Sequence, residues 1–172
     1  MLPSRVERRA SYGPFRRGTM VGAVLGALPG TGPTIASFMA YSLEKRVARD
    51  PTRFGTGTIE GVVAPESANN AAAQTAFIPT LTLGIPGTAT MALILGALII
   101  QGIQPGPRLM TDNEGLFWAL IASFWIGNLF LLVLNVPLVG LWVRLVRIPY
   151  RFLFPAIICL ISVGVYSIDL NT

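Results

Sequence analysis

Two segments of the chain, residues 28–31 and 85–88, share the pattern apolar-Pro-Gly-Thr. Proline removes a backbone donor and blocks the turn before it, and glycine weakens a helix, so both segments predict a helix break. The helix after a break presents free N–H groups that suit a carboxylate, and the carbonyl groups before it suit Na⁺. The alternative is a kink that only accommodates a neighbouring helix. The predicted binding residues are Pro29, Gly30, Thr31, Gly32 and Thr34 at the first break and Pro86, Gly87 and Thr88 at the second.

A polar stripe follows in the segment after Pro65. Glu66, Asn70 and Gln74 repeat every four residues, so they share one face of a helix, with Asn69 beside them. Because a polar stripe is costly against lipid, it should face a cavity or another helix, and we predict binding of solute or Na⁺ by Glu66, Asn69 and Asn70. For Glu66 an alternative stays open: a carboxylate just after Pro65 could simply favour the dipole of a helix that begins there.

The composition indicates a membrane protein. Of the 172 residues 52% are hydrophobic and 12% charged, and the mean hydropathy is +0.62. A helix needs about 20 apolar residues to cross a bilayer, and four uncharged runs approach or exceed that length. The runs are 18–43, 67–107, 115–143 and 152–168. We therefore predict an all-α integral membrane protein with transmembrane helices and Pro-Gly-interrupted helices that are re-entrant or discontinuous.

Other kinds of chemistry find little support in the sequence. The chain has no histidine and a single cysteine, Cys159, which argues against a disulfide framework and a cysteine-based metal site. A Gly-x-Ser-x-Gly elbow and paired aspartates in apolar runs are also absent, so we do not expect an intramembrane enzyme or a cofactor beyond a coupling ion. The pI of about 10.1 comes from arginines at the ends of apolar runs. Orientation in a membrane explains them better than nucleic-acid binding.

Charge also predicts the organisation of the chain. Residues 1–17 are predicted as a basic cytoplasmic tail and 18–172 as a multi-pass membrane domain. Within it, 18–110 would form a core with broken helices and 111–172 two spanning helices. The first break has basic residues on both sides, 1–17 and 44–53, which favours a hairpin that enters and leaves on the cytoplasmic side. A broken span across the whole bilayer remains the alternative.

With these motifs identified, the chain resembles the large permease subunit of the tripartite tricarboxylate transporters, the TctA family. The resemblance covers about residues 22–110 and rests on the order of several short motifs. They are Gly26-Ala27-Leu28-Pro29-Gly30-Thr31-Gly32-Pro33, Ala40-Tyr41, Glu44-Lys45, Phe54-Gly55-Thr56-Gly57, Glu60-Gly61-Val62, Glu66-Ser67-Ala68-Asn69-Asn70-Ala71, Ile78-Pro79-Thr80-Leu81-Thr82-Leu83-Gly84-Ile85-Pro86-Gly87 and Gly102-Ile103-Gln104-Pro105-Gly106-Pro107. Each motif is weak alone, and together they are specific.

The resemblance implies a bacterial inner-membrane importer of small carboxylates that is coupled to Na⁺ or H⁺. It also implies a small membrane subunit and a periplasmic solute-binding protein as partners, in addition to membrane lipid. Family permeases are much longer and have two related halves, so the chain looks like the C-terminal half, and an N-terminal permease half would be a further partner. The alternative is a truncated, non-transporting scaffold or relic of such a permease. Gln74-Thr75 departs from the small residues usual at that point of the family pattern.

Overall fold

The computed structural model describes residues 4–169, which form helices joined by turns, with no strand among them. The all-α prediction is therefore confirmed. The helices are α1 (Arg5–Gly26), α2 (Gly32–Val47), α3 (Glu60–Thr75), α4 (Phe77–Leu83), α5 (Ala89–Ile100), α6 (Leu109–Asp112), α7 (Glu114–Val146) and α8 (Tyr150–Asp169), with a 3₁₀ turn at Pro51–Arg53. They fall into two compact units, residues 1–117 and 118–172, which are described separately.

Helix α1 begins in the arginine-rich segment and continues into the first apolar run without interruption. Its first turn is closed by a capping box, in which the Ser4 hydroxyl accepts from the Glu7 amide and the Glu7 carboxylate accepts from the Ser4 amide. These two bonds hold the pKa of Glu7 below its usual range, the backbone bond contributing most. The predicted end of a basic tail at residue 17 thus lies inside a continuous helix.

Helices α1 and α3 pack with their backbones in direct contact because small residues recur every four positions on both. A side-chain carbon added at Gly22 would lie 2.7 Å from the Cα atom of Ala68, and one added at Gly26 would lie 2.5 Å from that of Ala72. Real side chains do not approach this closely, so these α1 positions accept only glycine. The buried small residues are Gly18, Gly22 and Gly26 on α1 and Ala64, Ala68 and Ala72 on α3.

Helix α2 completes a three-helix bundle, and it too packs through small residues at four-residue spacing. Ala36 and Ala40 are fully buried against the alanines of α3, with Val21 and Leu25 of α1 packed beside them. Stripes of small residues let helices approach closely, which is the packing typical of helices in membranes. The chain between α1 and α2 is only a short turn, so the two helices form an antiparallel hairpin.

An ion pair closes the end of this hairpin opposite its turn. The Arg17 guanidinium donates from Nε and Nη2 to the two oxygens of the Glu44 carboxylate, at 2.9 and 2.6 Å. Glu44 follows Ala36 and Ala40 at the same four-residue spacing, and its side chain is 4% exposed. A buried carboxylate needs such a two-point partner to offset the loss of water, so the pair ties Arg17 of α1 to the end of α2.

The second half of this unit contains the other interruption. Helix α4 follows α3 after one residue and ends at Gly84, which adopts the left-handed conformation with φ of 69°. Residues 84–88 are then non-helical until α5 begins at Ala89. The loop beyond α5 returns to α4, where the Gly106 amide donates to the Leu81 carbonyl group at 2.8 Å. Both predicted helix breaks are present.

The second unit consists of helical, apolar chain. The segments Glu114–Arg144 and Tyr150–Ser167 are long and apolar enough to cross a bilayer, and none of the residues in their most apolar stretches is buried. Exposed leucine, valine and phenylalanine side chains surround both helices. A helix that is apolar on all sides and uncovered by protein is suited to lipid. These helices lie within 111–172, where two spanning helices are predicted, and their length and composition make both candidates for crossing a membrane.

Candidate functional site

The two Pro-Gly breaks lie against each other. A side-chain carbon added at Gly32 would be 3.3 Å from the Gly87 carbonyl oxygen and 3.6 Å from Cγ2 of Thr88. One added at Gly87 would be 3.6 Å from the Gly30 amide nitrogen. Two segments at least 55 positions apart in the chain, from residue 32 to residue 87, therefore form one junction of unwound backbone. We call Gly30–Gly32 together with Gly87 and Thr88 the break junction.

Glycine is required at the first break by backbone conformation. Gly30 and Gly32 have φ values of 84° and 68°, in the left-handed region that other residues rarely adopt. Between them, the Thr31 hydroxyl donates to the Leu28 carbonyl group at 2.7 Å and closes the turn. Pro29 is exposed in this turn, whereas Pro86 and Gly87 in the second break are partly buried.

Two helices begin at the break junction. Helix α2 starts at Gly32, and no side chain caps its first turn. Helix α5 starts at Ala89 and is capped by Thr88, whose hydroxyl accepts from the Met91 amide at 3.1 Å. The first amide groups of a helix carry a partial positive charge, so the junction gathers positive backbone ends without using a charged side chain.

A largely apolar cavity of about 360 Å³ opens between α2 and α3, near the start of α2. Thr34 of α2 and Asn69 of α3, two of the predicted site residues, both line it. The remaining lining residues are Ser37, Phe38, Tyr41 and Pro65. Hydroxyl and amide groups on an apolar wall can orient a small polar solute, which is the usual composition of a ligand site.

Sequence reasoning missed Ser37 and Tyr41. With Thr34 they follow the spacing i, i+3, i+7, which places three hydroxyl side chains on one face of α2. The Ser37 hydroxyl donates back to the Pro33 carbonyl group at 2.9 Å, and the Tyr41 ring packs edge-on against Phe54. The spacing of these hydroxyl residues in the sequence could have predicted that Ser37 and Tyr41 share a helix face with Thr34.

The structure does not bring Glu66 and Asn70 to this cavity. Both are exposed on α3, and the Asn70 side-chain amide donates to the backbone carbonyl group of Glu66 at 2.9 Å. Helix α3 begins at Glu60, so Pro65 lies inside it and Glu66 is not a first-turn charge. The alternative interpretation of Glu66 as an N-terminal helix charge is therefore wrong; Glu60 occupies that position. Binding by Glu66, Asn69 and Asn70 remains a prediction.

The other departure from the family pattern, Gln74-Thr75, has a local explanation at Thr75. Its hydroxyl donates to the Ala71 carbonyl group at 3.0 Å and lies directly against Gly26 of α1. Thr75 therefore fits the tight contact between α1 and α3 because its polar group is satisfied within its own helix. Gln74 is exposed on the face that carries Glu66 and Asn70.

Long apolar helices together with paired, Pro-Gly-interrupted helices are features of membrane transport proteins. The comparison with known families agrees: the chain belongs to the tripartite tricarboxylate transporter TctA family, which matches it over residues 1–172. The chain is therefore a membrane protein of a transporter family, and that family is not a family of enzymes.

Two relatives come from Agrobacterium vitis. The uncharacterized 52.8 kDa protein in the TAR-I ttuC' 3' region is 57% identical over 168 residues, which cover 98% of this chain and 34% of that protein. The uncharacterized protein in the TAR-II ttuC' 3' region is 61% identical over 150 residues, 87% of this chain and 62% of that protein. The chain thus spans about a third of one relative and less than two thirds of the other. No solved structure matches it significantly.

Proposed function

We propose that the chain forms part of the large permease subunit of a tripartite tricarboxylate-type transporter and imports small carboxylates together with a cation. The family supports a transport role. The observation that carries the site is the contact between the two Pro-Gly breaks, since Gly32 and Gly87 meet at the start of two helices. Unwound backbone in a membrane is tolerated where protein buries it or where it lines a polar cavity.

In this proposal, carboxylate groups of the solute accept hydrogen bonds from the first amides of α2 and α5. Thr34 and Asn69 hold the rest of the solute from the adjoining cavity, where both side chains line the wall. Helix N-termini bind anions through oriented N–H groups, so no arginine or lysine is needed at the site itself. Pro29, Thr31 and Pro86 act by keeping the two breaks unwound.

The coupling cation would be Na⁺ or H⁺. For Na⁺, we propose oxygen ligands from Asn69, Asn70 and the backbone carbonyl groups at the junction, with Glu66 supplying charge. Hard cations prefer oxygen ligands, and Glu66 and Asn70 lie one turn apart on α3 with Asn69 next in the chain. Glu66 and Asn70 are exposed in the isolated chain. We propose that the other permease half covers them.

The proposed partners follow from the family. They are the N-terminal permease half, a small membrane subunit and a periplasmic solute-binding protein that delivers the carboxylate, all at the bacterial inner membrane. The chain spans 34% of the longer relative's length, so that relative has room for a second half. Large apolar side chains exposed on α7 and α8 are proposed to contact lipid or these membrane partners.

Uptake of radiolabelled citrate by membrane vesicles tests this function. We expect uptake when vesicles contain the chain, the other permease half, the small subunit and the binding protein, and none when this chain is omitted. A Na⁺ or pH gradient should drive it, and abolishing both gradients should stop net accumulation. Unchanged uptake by vesicles lacking this chain would contradict the proposal and favour a non-transporting scaffold.

We further propose that α1 and α2 form a re-entrant hairpin. The Arg17–Glu44 ion pair places both polar ends side by side, at 2.6 Å, which supports entry and exit on one face of the membrane. In a Cys159→Ser background, Arg16→Cys and Arg46→Cys should both react with a membrane-impermeant thiol reagent from the cytoplasmic side only. The control is Thr56→Cys in the exposed loop before α3, which shows how an exposed cysteine outside the hairpin reacts. Labelling of residues 16 and 46 from opposite sides would exclude the hairpin.

A further inference from the structure

Three arginines converge at the base of the hairpin, away from the break junction. Arg5 and Arg9 are one turn apart on α1, and Arg49 follows the end of α2. With the aliphatic side chains of Val6 and Ala10 they line a surface cavity of about 960 Å³ that contains no carboxylate. We call it the arginine cavity.

In the described residues, the guanidinium groups of the arginine cavity form no ion pair with a neighbouring carboxylate. In the described part of the chain, the ion pair within 4 Å is that of Arg17 with Glu44, and none involves Arg5, Arg9 or Arg49. An adjoining cavity, which shares Arg9, Ala10 and Arg49, does contain carboxylates.

Those carboxylates are already engaged. Glu44 is held by Arg17, Asp50 accepts from the Thr52 hydroxyl and amide, and Glu60 accepts from the Thr58 hydroxyl. These hydroxyl bonds lower the pKa values of Asp50 and Glu60 and keep both carboxylates charged. Within the described residues none of the three guanidinium groups is held in an ion pair, so their N–H donors remain available to an external anion.

We infer that the arginine cavity binds a phosphate group. Guanidinium forks match phosphate oxygens in pairs, and the oxygens of a phosphate point in tetrahedral directions, so they can engage arginines on several sides at once. The two oxygens of a carboxylate lie in one plane, which suits a single fork. This inference does not depend on carboxylate transport, because it uses none of the residues of the break junction or of the α2–α3 cavity.

The phosphate can come from a lipid headgroup or from solution. The residues of the cavity on α1 precede the first apolar run, which begins at residue 18, and Val6 in its wall is exposed, as are Tyr12 and Phe15 on the same helix. Basic pockets next to membrane helices bind anionic headgroups, and exposed apolar side chains would suit the lipid interface. Free inorganic phosphate would use the same three arginines.

The test compares two charge-matched variants of the full chain. The first carries Arg5→Gln, Arg9→Gln and Arg49→Gln; the control carries Arg16→Gln, Lys45→Gln and Arg46→Gln, which line none of these cavities. Each chain is reconstituted in bilayers of phosphatidylcholine with a minor fraction of phosphatidylglycerol, and co-purified lipid is quantified by mass spectrometry. Equilibrium dialysis with radiolabelled inorganic phosphate forms the second arm, and circular dichroism verifies the helices.

Enrichment of phosphatidylglycerol among the co-purified lipids would show that the bound phosphate belongs to a lipid headgroup. Binding of inorganic phosphate in dialysis without that enrichment would show that the ligand is free phosphate. In either arm we expect the signal to be kept by the control, to fall roughly fivefold in Arg49→Gln alone, and to be lost in the first triple variant. No signal in either arm, or equal losses in both triple variants, would overturn the inference. Displacement by citrate as effective as by phosphate would also overturn it, since the cavity would then recognise carboxylates.

Discussion

Replacing Gly22 with valine is expected to force α1 and α3 apart and to destabilise the three-helix bundle severely. A side-chain carbon at Gly22 would lie 2.7 Å from the Cα atom of Ala68, so the obstacle is backbone and cannot rotate away. Overpacking costs about 1–3 kcal/mol where side chains can adjust, and we expect a cost at or above the top of that range here. Unfolding of the purified chain in detergent, followed by circular dichroism, measures it.

Gly96→Ala is the matched control for this substitution. Gly96 also lies within a helix, α5, but an added carbon there meets nothing within 4 Å. Alanine favours a helix over glycine by roughly 1 kcal/mol, so Gly96→Ala should leave stability unchanged or raise it slightly. If Gly22→Val and Gly96→Ala had the same effect on unfolding, the close α1–α3 contact would not exist in solution.

This contact matters for the site because α3 carries Asn69. The cavity wall is shared between α2 and α3, and α3 is held in place by its contacts with α1 and α2. The stripe of small residues therefore positions Asn69 opposite Thr34 without supplying any polar group itself. Changes in the stripe are expected to damage both stability and uptake.

The helix breaks could be predicted from sequence because their cause is local. Pro29 lies in the turn after α1, Pro33 occupies the first turn of α2, where proline is favoured, and Gly30 and Gly32 supply the left-handed conformations that the turn needs. The apolar helices α7 and α8 were equally accessible, since length and composition alone predict them. These features need no knowledge of distant contacts.

The contact between the breaks could not be predicted in this way. Residues 32 and 87 meet because of how α2 through α5 pack, and a repeated Pro-Gly-Thr pattern carries no distance information. Residues 1–17 make a different point. Their cytoplasmic position stays a prediction that rests on the arginines, whereas their helix follows from the capping box of Ser4 and Glu7 and from arginine, a good helix former.

The ion pair between Arg17 and Glu44 lay within reach of a closer analysis. Glu44 continues the four-residue series of Gly32, Ala36 and Ala40, so it had to be buried with them and needed a cation. Which arginine would serve depended on the packing of α1 against α2. The polar stripe of α3 was assigned to one face correctly, but which of its members would line a cavity depended on that packing too.

The most direct test of the proposed site is whether a bound carboxylate protects a cysteine placed at position 34 from a thiol reagent. In a Cys159→Ser background, Thr34→Cys places a thiol in the wall of the α2–α3 cavity, beside the start of α2. The side chain is exposed enough to react with a membrane-impermeant reagent. The chain should be assembled with the other permease half and the small subunit, and the rate of thiol modification measured with increasing citrate.

A bound carboxylate should exclude the reagent in proportion to its occupancy. At a concentration ten times its dissociation constant, we expect modification of residue 34 to slow by about tenfold, while Thr56→Cys in the exposed loop before α3 reacts at an unchanged rate. A modification rate at residue 34 that stays constant, in an assembly that still takes up citrate, would show that the solute binds elsewhere and would contradict the account.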